Sequence, residues 1–68
     1  MRRPNIKLKG VLMEIGWRQK TLSAKTALNE SLISLIISGR VVPSTAEMEA
    51  IATALSCDPA ELFDGLLR

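Results

Sequence analysis

Apolar residues recur along the chain at three- and four-residue spacing, in short runs separated by turn-forming residues. Ile6, Leu8, Val11, Leu12 and Ile15 make the first stripe, with Asn5 ahead of it as an N-cap and Gly16 behind. Arg18–Gly39 then reads as two helices joined by a tight turn. The first centres on Leu22, with Gln19, Lys20, Thr21, Ser23 and Lys25 as its polar faces. The second starts after Asn29, whose side chain can accept from an orphan amide of the next turn. It carries Leu32, Ile33, Leu35, Ile36 and Ile37, and stops at Ser38-Gly39. So short a connection forces a steep crossing, the helix-turn-helix arrangement. Pro43 pushes Val42 out of the helical region, which makes Arg40–Pro43 an extended connector. Ser44-Thr45-Ala46-Glu47 has the form of a capping box and opens a fourth helix, striped by Met48, Ile51, Ala52 and Leu55 and closed at Ser56-Cys57. Asp58 as cap, Pro59 at the first helical position and Glu61 start a fifth, holding Leu62, Phe63, Leu66 and Leu67. The pattern predicts an all-α fold, a five-helix bundle without strands. Residues 1–68 are expected to form one domain, with residues 1–4 as a flexible basic arm.

Size and composition narrow the classes. A chain of 68 residues buries roughly 60% of its unfolded surface, enough for a thin core. With 47% hydrophobic and 24% charged residues it reads as an ordinary soluble fold. No apolar run approaches the ~18 residues of a membrane span. Met1-Arg2-Arg3 is not followed by the long apolar segment of a signal peptide. Cys57 is alone, so no disulfide framework or metal cluster is expected, and it reads as a buried small hydrophobe rather than a reactive thiol. The chain has no His, no Gly-rich phosphate loop and no metal-ligand spacing. Glu30, Glu47, Glu49, Asp58, Glu61 and Asp64 fall mostly at helix starts or on polar faces, where the helix dipole explains them without chemistry. So shallow a bundle also promises little room for a pocket. These points predict a cytoplasmic, non-catalytic protein with no cofactor, no metal site and no small-molecule effector.

Charge changes the picture further. Residues 1–40 carry eight basic residues against two acidic, a net +6, whereas residues 41–68 carry one against five, a net −4. A basic half that contains the two-helix unit suits a one-sided polyanion site. Trp17, at the hinge, is expected to cover the core where the first two helices meet rather than to stack on a base.

The order of parts resembles the Cro/phage-repressor, or XRE, family of helix-turn-helix domains. The matching residues are Gln19, Leu22, Ala24-Lys25-Thr26, Asn29-Glu30-Ser31, Ile33, Ile36, Ser38-Gly39-Arg40, Pro43-Ser44 and the ending Asp58-Pro59-Ala60-Glu61-Leu62-Phe63. The likeness covers roughly residues 6–63 and implies a lambda-repressor-like bundle, with helices 2 and 3 as the helix-turn-helix. It further implies a bacterial or phage transcriptional repressor whose third helix enters the major groove of double-stranded DNA. A homodimer would then span half-sites about 34 Å apart. By position in the family motif, Glu30, Ser31 and Leu35 would read base edges, and Gln19 would meet a phosphate or the outermost base. Arg18, Ser38 and Arg40 would hold the backbone, and Asn29 would cap the reading helix beside a phosphate. Lys20 and Ser34 complete the candidate DNA-binding set.

Three departures stand out. Ala27 occupies the turn position where relatives often carry Gly. Leu12 and Ile37 stand where many members have a buried Arg–Glu pair; replacing both charges by apolar groups removes two desolvation penalties, so the two are expected to meet in the core. Glu30 and Leu35 occupy reading positions more usually held by Arg, Gln or Lys. Glu can accept from cytosine N4 and Leu can pack on a thymine methyl, but Glu30 also repels phosphates. The alternative is a protein–protein module on the same fold, because Leu32, Leu35, Val41, Val42 and Leu67 exceed what the inner faces need. In either case a dimer contact is expected at Arg40–Pro43 or Leu66-Leu67.

Overall fold

The structure is a computed structural model and describes residues 4–63. The expected basic arm through Arg3 and the apolar pair Leu66-Leu67 lie outside these residues. Five helices follow one another: α1 (Ile6–Ile15), α2 (Gln19–Thr26), α3 (Glu30–Ser38), α4 (Thr45–Ala54) and α5 (Pro59–Phe63). Among the described residues there is no strand.

Each helix starts where a side chain can satisfy orphan amides, with α2 as the exception. Asn5 Oδ1 accepts from the Leu8 amide at 3.0 Å. Asn29 Oδ1 accepts from the Ser31 amide at 2.7 Å. Ser44 and Glu47 form a complete capping box, at 2.8 and 3.1 Å. Asp58 Oδ1 accepts from the Ala60 amide at 3.0 Å ahead of Pro59. Gly16 (φ 77) and Gly39 (φ 80) end α1 and α3 in the left-handed conformation that glycine adopts freely.

The turn between α2 and α3 uses Ala27 at φ 61, a left-handed residue with a Cβ. Hydroxyls hold this geometry. Thr26 Oγ1 donates to the Leu22 carbonyl at 2.8 Å and accepts from the Leu28 amide at 3.3 Å. Ser23 Oγ donates to the Leu28 carbonyl. Ser56 (φ 56) ends α4 in the same strained way.

The core is one cluster built from all five helices: Leu8 and Leu12, Leu22, Ile33, Ile36 and Ile37, Met48, Ile51, Ala52 and Leu55, Leu62 and Phe63. Helix α2 packs on α3 and α4, α1 on α3 and α5, and α4 on α5. Trp17 is half-buried against this cluster, as its hinge position predicts.

Three expectations about apolar residues need correction. Ile6 and Ile15 belong to the periodic stripe of α1 but are 75% and 45% exposed. The side chains that α1 packs into the bundle are Leu8 and Leu12, buried, with Val11 half-buried beside them. Cys57 is a free thiol packed against the core but only half-buried, less enclosed than expected. Leu32 and Val41 are half-buried against the core and so are not surplus surface, whereas Leu35 and Val42 are exposed.

Candidate nucleic-acid interface

Helix α3 divides cleanly by its 3.6-residue period. Ile33, Ile36 and Ile37 are buried, and Glu30, Ser31, Ser34, Leu35 and Ser38 are exposed along the other side. Asn29, exposed at its start, uses its side-chain oxygen on the Ser31 amide. Glu30 stands in the first turn, where the helix dipole favours an acid. At the far end, the left-handed turn at Gly39 releases the chain, and the exposed Arg40 is held by its amide, which donates to the Leu35 carbonyl at 3.0 Å.

The start of α2 differs in kind. Its N-cap is Arg18, in extended conformation with no side-chain cap, and its first turn holds no acidic residue. Arg18 and Lys20 are exposed and Gln19 is half-buried. Uncapped leading amides, the positive end of the dipole and two cations therefore coincide, an environment that favours an anion. Among the described residues no carboxylate is paired with Arg18, Lys20 or Arg40.

An open groove of about 530 Å³ runs between α1, the start of α2 and α3. It brings together four of the ten expected site residues, Arg18, Gln19, Ser34 and Ser38. Lys20, Asn29, Glu30, Ser31, Leu35 and Arg40 are exposed outside it. Pro4, Lys9, Leu12, Met13, Trp17 and Ile37 complete its walls. The expectation of little room for a pocket is thus corrected. Lys9 and Met13 were not legible as site residues. Their i, i+4 spacing puts them on one face of α1, but only the packing of α1 on α3 turns that face into a wall. Leu12 and Ile37 belong to the same core cluster and both line this groove. Lys25 Nζ lies 5.9 Å from the centroid of the Trp17 ring, within cation–π range.

A five-helix bundle whose third helix is anchored by isoleucines and open on its outer side is a helix-turn-helix DNA-binding architecture. Comparison with family models agrees, the Cro/C1-type helix-turn-helix DNA-binding domain matching residues 7–64. The chain belongs to this family and is a DNA-binding domain of the XRE-like transcription-regulator type. The family is defined by DNA binding and not by catalysis. Comparisons with curated proteins and with solved structures give no significant match. Among the described residues no helix is long and apolar enough to cross a membrane.

Proposed function

We propose that this protein is a sequence-specific double-stranded DNA-binding repressor that acts in the cytoplasm as a homodimer. Helix α3 enters the major groove, with Glu30, Ser31, Ser34 and Leu35 at base edges. Arg18, Gln19, Lys20, Ser38 and Arg40 hold the sugar-phosphate backbone, and Asn29 holds the start of α3 beside a phosphate. The observation that carries this reading is the exposed outer side of α3, opposite three buried isoleucines, with Arg18 in one groove with Ser34 and Ser38 and Arg40 exposed just past its end. Affinity leans on those cations because Glu30 opposes phosphate, so binding falls steeply with salt. The test is association with duplex DNA from the gene's own upstream region at low and moderate salt. Absence of salt-sensitive association counts against the reading.

A protein–protein role on the same fold is favoured by one observation, the exposure of Leu35 (37%) and Val42 (44%). Leu35→Ala separates the two. It changes base preference if α3 reads DNA, and weakens partner or self-association if α3 is a docking face.

A further inference from the structure

We infer that the groove between α1 and α3 is a binding site for a small amphipathic anion, an alkyl or aryl carboxylate with an apolar body. The floor carries the inference. Met13 and Trp17 supply the accessible apolar surface, the largely buried Leu12 and Ile37 close the base beneath them, and Lys9 and Arg18 line the same groove. No carboxylate is among the residues that line it. Met13 is 72% exposed and outside the core cluster, so its thioether is available to an occupant of the groove. Phosphate alone needs cations and N–H donors, and gains nothing from a thioether and an indole. A neutral hydrocarbon gains nothing from Lys9 and Arg18. An amphipathic anion satisfies both halves, and about 530 Å³ falls in the size range of small-molecule sites. The apolar floor exists because residues 12 and 37 are Leu and Ile; a buried Arg–Glu pair there would leave charge at its base. An occupant covers Arg18 and so competes with nucleic acid for it.

The site reports on itself, since Trp17 is the only tryptophan in the chain. The experiment titrates the full chain, without DNA, with decanoate, decan-1-ol and inorganic phosphate while Trp17 fluorescence is recorded. Its outcome is therefore independent of whether α3 reads DNA. Decanoate is expected to give a saturable one-to-one change with Kd about 0.1–1 mM, and the other two probes, compared at equal concentrations below the solubility limit of decan-1-ol, to give at most about a tenth of its signal change. Removing methylenes should weaken binding by up to about fourfold each. Lys9→Ala should weaken decanoate about two- to fivefold and Met13→Asp at least about tenfold. Both positions are exposed, and far-UV circular dichroism checks that each variant folds. The inference is overturned if decanol or phosphate binds as well as decanoate, if no probe saturates, or if folded Lys9→Ala and Met13→Asp both bind unchanged.

Discussion

Asn5 Nδ2 donates to the Leu62 carbonyl at 2.9 Å, joining residues 57 positions apart. The same side chain caps α1 through the Leu8 amide, and the Asn5 amide donates to the Ile37 carbonyl at 2.8 Å. One residue thus ties the start of α1 to the end of α3 and to α5, which holds the inner side of α3 in place. Asn5→Ala should cost about 2 kcal/mol, the sum of a missing cap and a missing tertiary bond. Asn5→Asp should cost about 1 kcal/mol, because it keeps the cap acceptor and loses the donor. Urea unfolding of the three proteins measures this; an Asn5→Asp variant as stable as the parent would remove the α5 bond from the effect, and equal losses in both variants would remove the cap.

Replacing alanine by glycine inside a helix normally destabilises, but Ala27 has φ 61. Ala27→Gly should therefore stabilise by about 0.5–1 kcal/mol, the relief of a left-handed Cβ less the greater freedom of glycine in the unfolded chain. Ser56→Gly should act in the same direction, since Ser56 has φ 56. Thermal unfolding shows the sign directly; a lower Tm in both would mean the turns do not carry this strain.

Most of the fold was legible because its punctuation is chemical. Asn5, Asn29, Ser44 with Glu47, and Asp58 with Pro59 mark helix starts by what their atoms can bond, and all four sites form the expected caps. Periodicity was less informative about depth. It grouped Ile6 and Ile15 with Leu8, Val11 and Leu12, although only the latter three pack on the core. The outer side of α3 followed from its spacing. The groove did not, because Lys9, Trp17 and Ser34 come from three separate elements whose meeting depends on how they pack. Cys57 packs on the core but is only half-buried, because it lies just past the left-handed turn that follows α4.

Leu12 and Ile37 are 4% and 7% exposed in the same cluster. Leu12→Arg alone should destabilise by about 3–5 kcal/mol by burying an unpaired charge. Adding Ile37→Glu should recover at least about 1 kcal/mol of that loss through pairing. A double-mutant cycle of unfolding free energies reads the coupling, and strict additivity would mean the two side chains do not meet.

Backbone-holding and base-reading residues should differ in DNA-binding signature. Lys20→Ala and Arg40→Ala should weaken binding to all sequences alike, and each should lower the salt slope by about one for the phosphate it no longer neutralises. Leu35→Ala should cost about 1 kcal/mol at one base position and leave the slope unchanged. Fluorescence anisotropy across a salt series distinguishes these patterns.

The most direct test of α3 as a major-groove reader is guanine-N7 methylation interference on a duplex selected by the protein from a random pool. The expected result is two symmetric clusters of interference about one helical turn apart. Interference confined to adenine N3 in the minor groove, or selection that yields no common sequence, would contradict it.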